Sequence, residues 1–248
     1  MNEENTLIAG RNPVMEALKS NTDINSIMIA RGSGEGIIRA IAAKAKKQGI
    51  PVKEVSPVKL DALIPAKNHQ GVVANISPIK FFALREILKI AADKGEDAFI
   101  VILDGIEDVH NFGAIARSAE ACGAHGIIVH KHGAAPVSSI AVKASAGALM
   151  HVPIARVTNI TKTIMELKEK GLWIAGTDMT GDSKYYEANL KGPIGVVIGS
   201  EGKGMSRLVR ENCDFNVNIP MAGKMASLNA SNAAAIVLFE VLKQRTLG

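Results

Sequence analysis

The chain has 248 residues, of which 47% are hydrophobic and only 4% are aromatic. This composition excludes a disordered chain and predicts an aliphatic core, which suits parallel strands covered by helices. The formal charge of +5 and the pI of about 9.2 favour a polyanionic partner without proving one, because many ordinary basic proteins share this balance.

Residues 1–77 are predicted to form a small α/β unit. Asn12-Pro13 opens a helical stretch, since proline suits the first turn of a helix. The pattern of apolar residues then predicts a strand at 26–30, an amphipathic helix at 36–48 and a strand at 70–77. A helical pattern covers residues 81–94, and we interpret residues 78–95 as the connection between two domains.

From Ala98 onward, apolar strand runs alternate with helical patterns. This alternation predicts an α/β domain at 96–248, with a parallel sheet and helices on its faces. The predicted strands are 99–103, 126–129, 172–177, 195–198 and 214–219; the predicted helices are 113–122, 159–170, 204–211 and 226–245, with a small-residue region at 137–148.

A first polar cluster, from Asp104 to Glu120, follows a predicted buried strand and opens a helix. Ligands of open α/β sheets bind at the carboxyl ends of strands, so this position suits a site. Asn111 can cap the helix with its side chain. Arg117 stands on an otherwise small and apolar helix face; the simpler interpretation is a surface pair with Glu120 at i, i+3.

A second cluster, the glycine-rich loop 199–204, has the sequence GSEGKG and joins a strand to a helix. The Walker pattern is absent because Lys203 is followed by Gly204, and no GxGxxG pattern occurs. Glu201 would also repel a phosphate. A cationic ligand, or one rich in hydroxyls, fits this loop better, and the simpler alternative is a glycine turn with an acidic residue at a helix N-terminus.

A third cluster, residues 219–232, leads from a strand end into the last helix. One small polar residue is enough to cap a helix, but this segment carries four: Ser227, Asn229, Ser231 and Asn232. The surplus favours substrate contacts or hydrogen bonds that order the backbone, against the alternative of a redundant cap.

The remaining chemistry-bearing residues predict neither a metal site nor a membrane span. Cys122 and Cys213 have no metal-type neighbour at short spacing, and the acidic loop before His110 has no ligand geometry that its spacing defines. We expect no disulfide framework and therefore a cytoplasmic protein. The polar N-terminus does not resemble a signal peptide, and no apolar run approaches the roughly 20 residues of a membrane helix.

The three clusters together resemble the SpoU/TrmH family of RNA 2′-O-ribose methyltransferases, in the SPOUT superfamily. The first matches N-x-G-x-x-x-R at Asn111, Gly113 and Arg117. The second matches G-[SA]-E-G-x-G from Gly199 to Gly204, and the third matches S-L-N-x-S from Ser227 to Ser231. Each motif alone is weak, but three motifs in this order and spacing are specific.

The resemblance extends to the front of the chain. The segments GRNPV at 10–14 and HQGV at 69–72 are similar to the N-terminal, L30e-like RNA-binding domain of bacterial members. This likeness implies RNA contacts at Arg11, His69 and Gln70. The subgroup that modifies a guanosine of 23S ribosomal RNA is the most similar. Asn232 departs from the family pattern, which often has an aliphatic residue there.

The resemblance also implies properties that composition does not reveal. The second domain should contain a deep trefoil knot that holds S-adenosylmethionine, and the enzyme should be a homodimer built through the knotted domains. The implied cofactor-binding residues are Thr177, Gly199, Ile219, Met221 and Leu228.

The implied reaction is an in-line methyl transfer to a ribose 2′-hydroxyl, which requires no metal. Family precedent makes Arg117 the general base, although a guanidinium holds its proton at neutral pH, so Arg117 can instead orient a phosphate or stabilise the developing alkoxide. Asn111 would fix the loop and the substrate, and Glu201 would hold Arg117 or the loop. Ser227 and Asn229 would order the pocket.

Three other functions are compatible with parts of the sequence. A nucleotide-dependent oxidoreductase or kinase would need the missing GxGxxG or Walker pattern. A non-catalytic RNA-binding protein that assists ribosome assembly would leave the three motifs unexplained. A transfer RNA 2′-O-methyltransferase would share them.

Overall fold

In the computed structural model, residues 6–20, 22–33, 36–65, 68–224 and 227–247 are described. The chain divides into two compact units. The first comprises the chain through Lys80 together with Val137–Ser139, and the second comprises Phe81–Pro136 and the residues from Ile140 onward.

The first unit is a small α/β unit around a four-stranded sheet. Its strands have the order β1-β4-β2-β3, with β2 and β3 parallel and the other pairs antiparallel. Val14 and Leu18 of one helix and Ile38 and Ile41 of another are buried against the sheet. In chain order the elements are β1 (Leu7–Ala9), α1 (Arg11–Lys19), β2 (Ile24–Ala30), α2 (Ile37–Lys47), β3 (Val52–Val55), α3 (Pro57–Leu63) and β4 (Val72–Ile76).

The second unit is built on a seven-stranded sheet in which every pairing is parallel. This confirms the predicted α/β class with a parallel sheet. Its elements are α4 (Leu84–Lys94), β5 (Phe99–Asp104), α5 (Val109–Ala121), β6 (Gly126–His130), α6 (Ser139–Ala144), a 3-10 turn (Ala148–Met150), β7 (Ile154–Val157), α7 (Ile160–Glu169), β8 (Trp173–Thr177), β9 (Ser183–Lys184), β10 (Ile194–Gly199), α8 (Arg207–Asn212), β11 (Phe215–Asn218) and α9 (Ala230–Leu247).

The order of the strands, β7-β6-β5-β10-β8-β11-β9, places the two most apolar strands at the centre. β5 and β10 are buried along almost their whole length, as expected for parallel strands covered on both faces. Three helices pack into one core with the strands on one face, through Ile87 of α4, Ile164 and Leu167 of α7 and Val209 of α8. α5 and α9 pack against each other elsewhere in this unit. The carboxyl ends of β5, β10, β8 and β11 therefore lie side by side.

The structure differs from the predicted connection at 78–95. This segment contains α4, whose Ile87 is fully buried in the core of the second unit. The amphipathic pattern of residues 81–94 reflects that burial, so the helix belongs to the second unit rather than to a linker. The predicted trefoil knot is not tested by these observations and stays a prediction.

Several element boundaries also differ. The helix predicted at 204–211 begins at Arg207, because Gly204 is still part of the preceding loop, where it pairs with Ser200. The helix predicted at 226–245 begins at Ala230; Ala226 lies outside the described residues. Within the described part of the chain, no helix is both long and apolar enough to cross a membrane.

Candidate active site

The first motif lies where β5 leads into α5. Asp108 caps this helix, because its Oδ1 accepts hydrogen bonds from the backbone N–H groups of His110 (2.9 Å) and Asn111 (2.8 Å). The prediction that Asn111 is the cap is therefore wrong, since the helix begins two residues before it. With the cap supplied by Asp108, the Asn111 side chain is directed to another partner.

Gly113, the glycine of this motif, lies where the end of α6 approaches α5. A Cβ atom at this position would lie 2.6 Å from the Cβ of Ala144 and 2.9 Å from the backbone of Ser145. No larger residue fits this contact without a shift of the backbone. The glycine therefore has a packing role that holds the motif in place.

The second motif forms a tight loop at the carboxyl end of β10. Ser200 N donates to Gly204 O (3.0 Å) and Gly204 N donates to Ser200 O (2.9 Å), so the loop closes on itself. Gly199 lies directly against this closure, where a Cβ atom would be 2.3 Å from both Gly204 C and Met205 N. A side chain at Gly199 is incompatible with this loop.

The third motif leads into α9. The side-chain oxygen of Asn229 accepts hydrogen bonds from Ser231 N (2.9 Å) and Ser231 Oγ (2.6 Å). Asn229 thus supplies the helix cap through its oxygen. Its amide nitrogen remains available for a second role, which accounts for part of the surplus of polar residues.

Asn111, Glu201 and Asn229, one residue from each motif, form a single hydrogen-bonded cluster, which we call the polar triad. Asn111 Nδ2 donates to Glu201 Oε1 (2.9 Å), and Asn229 Nδ2 donates both to Asn111 Oδ1 (3.0 Å) and to Glu201 Oε1. The Glu201 carboxylate thus lies at the N-terminal ends of α5 and α9, where helix dipoles stabilise an anion. Within the described residues, Glu201 therefore bonds to the starts of α5 and α9 and not to Arg117, which was one of its predicted partners.

Arg117 is exposed on α5. Within the described residues it has no hydrogen bond or ion pair, so the alternative pairing with Glu120 does not form. Its guanidinium is therefore accessible to a ligand from solvent.

A cavity of about 440 Å³ lies at the carboxyl ends of β8, β10 and β11. This volume is within the usual range for a small-molecule site. All five predicted cofactor-binding residues line it, as do Glu201 and Ser227 of the predicted catalytic set. Thr177 Oγ1 also donates to Val197 O (2.9 Å), which ties the ends of β8 and β10 together.

The sequence interpretation missed part of the cavity lining. Asp178 and Met179 follow β8 directly, and their place after a strand end was the only signal that could have indicated them. The other lining residues outside the predicted set are Ile198, Ser200, Gly202, Lys203, Gly204, Val217, Asn218, Pro220, Ala230 and Ala233.

The described residues that line the cavity include few charged side chains and no cysteine. Asp178 and Glu201 are acidic and Lys203 is basic, and the rest is backbone, small polar or apolar. Burial, helped by Asp214, raises the pKa of the neighbouring Cys213 thiol to about 12, so this sulfur stays protonated. In the ranges that the structure describes, no three His, Cys, Asp or Glu residues are grouped as metal ligands.

The three predicted RNA contacts lie together in the first unit. Arg11 N donates to Gln70 Oε1 and Arg11 Nε donates to Gln70 O, both at 3.1 Å. His69 Nδ1 accepts from Gly71 N (2.9 Å), which leaves Nε2 to donate to Asp61 Oδ1 (3.0 Å). The loop is thus held by its own side chains, and the start of α1 presents Arg11 at the surface.

Comparisons with protein families match both units. The family model described as SpoU rRNA Methylase family matches residues 98–239. A second model, described as RNA 2′-O ribose methyltransferase substrate binding, matches residues 7–82. YacO, a TrmH family protein of Bacillus subtilis, is 42% identical over 245 residues, which are 99% of this chain and 98% of YacO.

Solved structures of methyltransferases are also similar to this chain over almost its whole length. The SpoU methyltransferase AviRb from Streptomyces viridochromogenes, in complex with AdoMet, has a TM-score of 0.62 and 29% identity, covering 98% of this chain and 91% of AviRb. An AdoMet-bound rRNA methyltransferase from Sinorhizobium meliloti has a TM-score of 0.60 and 27% identity, covering 97% and 88%.

Proposed function

This chain belongs to the SpoU rRNA methylase family, and we propose that it transfers a methyl group from S-adenosylmethionine to a ribose 2′-hydroxyl of RNA, at a guanosine of 23S ribosomal RNA. The observation that carries this proposal is the polar triad. Residues from three motifs meet at one carboxylate beside a cavity that all five expected cofactor residues line.

The chemistry of the cavity fits S-adenosylmethionine. A ligand with a sulfonium and an ammonium group is attracted by Asp178 and Glu201, and its adenine suits apolar contacts with Ile198, Met221 and Leu228. Gly199 allows the loop to fold back beside the ligand without a side chain in the way. The bound cofactor supplies an electrophilic methyl group.

The protein's own residues then position and stabilise the attacking oxygen. The polar triad fixes the ends of β10, α5 and α9, so that the ribose is held in line with the methyl group. The exposed Arg117 guanidinium would stabilise the negative charge that develops on the 2′-oxygen as its proton passes to solvent water. When bound, S-adenosylmethionine would supply the methyl group, and its sulfur would leave as a neutral thioether.

RNA binding is supported by the distribution of charge. Residues 1–80 contain 11 lysines and arginines against 7 acidic residues, so they carry +4 of the total formal charge of +5. Contacts with phosphates depend on such a surplus. We therefore assign substrate binding to the first unit, with Arg11 as a phosphate contact beside His69 and Gln70.

We further propose a homodimer built through the second unit, with the knot predicted above, acting in the cytoplasm. The exposed side of α9 supports the dimer, because Phe239 is 48% exposed and Ile236 is only half-buried. Apolar surface on a terminal helix is stabilised when a second copy covers it. Sedimentation of the Phe239→Lys variant should then show monomers.

The function is tested by incubating the protein with labelled S-adenosylmethionine and three substrates: 23S ribosomal RNA, 16S ribosomal RNA and transfer RNA. We expect label in 23S RNA at guanosine and none in the other two. Label in transfer RNA alone would establish the alternative substrate. An absence of label with all three RNAs, despite cofactor binding, would favour a non-catalytic RNA-binding role.

A further inference from the structure

The segment 178–181, which we call the wall loop, forms one side of the cavity and is anchored at both ends. Asp178 N donates to Val217 O (3.0 Å), and Asn218 Nδ2 donates to Gly181 O (2.8 Å). Between these anchors, Met179 lines the cavity mouth and is 65% exposed. Gly181 N also donates to Asp178 O (3.1 Å), which closes the segment as a turn. A further contact ties this turn to the rest of the unit.

Side chains provide that contact. Asp178 Oδ1 accepts hydrogen bonds from Thr180 N (2.8 Å) and Thr180 Oγ1 (2.7 Å). Arg210 Nη2 donates to the same Thr180 Oγ1 at 2.7 Å, and Arg210 Nε lies 3.3 Å from Asp178 Oδ2. We call Arg210 with Asp178 and Thr180 the Arg210 clamp. Because Asp178 uses both carboxylate oxygens in the clamp, the clamp determines how this residue faces the cavity.

The position of Arg210 is fixed by the anchoring of its helix. Its helix, α8, begins after Ser206, whose N–H donates to Asp104 Oδ2 (2.6 Å) at the end of β5. Val209, the residue before Arg210, is buried in the core of the second unit. α8 also follows the glycine-rich loop 199–204, which forms another wall of the cavity. Arg210 thus links the wall loop to the side of the cavity that carries Glu201.

We propose that Arg210 is a positioning residue for the cofactor: it holds the wall loop in the binding conformation without touching the ligand. Neither Arg210 nor Thr180 lines the cavity. Without the clamp, the loop samples other conformations, and binding must order it at a cost in affinity. The inference rests on the proposed function only in taking S-adenosylmethionine as the ligand.

An ordinary surface ion pair would not affect cofactor affinity in this way, since exposed ion pairs contribute little to the stability of the structure around them. The same helix offers a matched control for this alternative. Arg207 pairs with Glu211 at 3.0 Å, and its side chain is 80% exposed against 44% for Arg210. Arg207 contacts no cavity-lining residue through this pair, so Arg207→Ala removes an ion pair of α8 and leaves the wall loop intact.

The test measures the Kd of S-adenosylmethionine by calorimetry for the full-length wild type and for Arg210→Ala, Thr180→Val, the double variant and Arg207→Ala. We expect Arg210→Ala and Thr180→Val each to raise Kd about tenfold, equivalent to ~1.4 kcal/mol. The double variant should be no weaker than Arg210→Ala, and Arg207→Ala should match the wild type. Arg210→Lys, which keeps the charge near Asp178 but not the second bond, should recover part of the affinity.

Turnover separates positioning from catalysis. At saturating cofactor, kcat of Arg210→Ala should stay within about twofold of the wild type while KM for the cofactor rises about tenfold. A Kd for Arg210→Ala within twofold of the wild type, or additive effects in the double variant, would overturn the inference. If the wild type itself fails to bind the cofactor, the proposed function falls with it.

Discussion

Asn111 donates a 2.9 Å hydrogen bond to Glu201, which lies 90 residues away in the sequence. The same carboxylate oxygen accepts from Asn229, so two helix starts and one glycine loop share a single acceptor. Such an arrangement makes the three motifs depend on one another.

The polar triad should therefore act as a unit. Asn111→Ala and Glu201→Gln should each lower kcat/KM for RNA at least tenfold. Asn111→Ala removes one charge-assisted bond to Glu201, and Glu201→Gln removes the charge from both bonds that Glu201 accepts. The double variant should lose little more than the worse single variant, which gives a coupling of about 1–2 kcal/mol. Asn189→Ala, which alters an exposed asparagine whose side chain accepts from Lys191 N, serves as the control. Additive losses would show that the residues act separately.

Gly199 offers a steric test of the cofactor loop. In Gly199→Ala, the new methyl group would lie 2.3 Å from the backbone at Gly204 and Met205, so the loop must open. We expect cofactor binding to be lost in calorimetry while the far-ultraviolet circular dichroism stays close to that of the wild type.

Gly223→Ala is the matched control, because a Cβ atom at Gly223 would have no heavy atom within 4 Å. It should bind the cofactor as the wild type does. Equal affinity in both variants would contradict the described role of Gly199.

The sequence predicted the centre of the fold better than its edges. β5 and β10 are continuous apolar runs because both of their faces are covered, and such runs can be recognised from the sequence alone. β3, an edge strand with mostly exposed residues, has the sequence VKEV and no apolar run. β1, α3 and β7 were missed as well, since three to seven residues carry too little periodicity.

The sequence predicted which residues belong to the candidate site but not which of them are hydrogen-bonded to each other. The three motifs indicated Asn111, Glu201 and Asn229. The hydrogen bond between Asn111 and Glu201 could not be predicted, because it depends on where α5 begins, and Asp108 sets that position as the helix cap. Arg210 carried no signal, and Asp178 carried only its place after a strand end, because polar residues on a short helix and in a loop look solvated until the fold brings them together.

His125 predicts a pH dependence of stability. Its Nδ1 accepts from Phe99 N (3.0 Å), so Nε2 carries the proton and donates to Glu96 (3.0 Å). Burial lowers the pKa of His125 below its usual 6.5, against the opposing effect of Glu96. The unfolded chain therefore binds a proton at a higher pH than the folded protein does.

The direction of the pH dependence follows from the difference between the pKa of His125 in the folded and unfolded states. The contribution of neutral His125 is fully present above about pH 6.5 and is lost as pH falls toward the folded pKa. Urea unfolding between pH 7.5 and pH 5 (~0.5-unit steps) should show a declining free energy of unfolding. His125→Gln should flatten the decline, whereas His151→Gln, which alters an exposed histidine, should keep it. An unchanged slope in His125→Gln would contradict the assignment.

Variants of Arg11 test whether the first unit binds RNA while the second unit binds the cofactor. Arg11→Ala should weaken binding to 23S RNA and reduce the slope of log K against log salt by about 1, because one phosphate contact is lost. The Kd of S-adenosylmethionine should not change. Lys19→Ala, on the same helix and paired with Glu16, is the control for a general loss of positive charge. A parallel fall in cofactor affinity would argue against separate roles.

Arg117 tests the chemistry of the transfer step. Arg117→Ala should lower kcat at least a hundredfold, with the cofactor Kd unchanged, because the charge that stabilises the 2′-oxygen is gone. Arg117→Lys should restore part of kcat if charge is what matters. Near-wild-type turnover of Arg117→Ala at equal RNA affinity would remove this residue from the reaction.

The most direct measurement of the central claim is the chemical position of the transferred methyl group. RNA labelled by the protein and S-adenosylmethionine is hydrolysed with alkali, which cleaves only beside a free 2′-hydroxyl. We predict that the label appears in alkali-stable dinucleotides with guanosine at the 5′ side. Label recovered in mononucleotides would place the methyl group on a base and contradict ribose methylation.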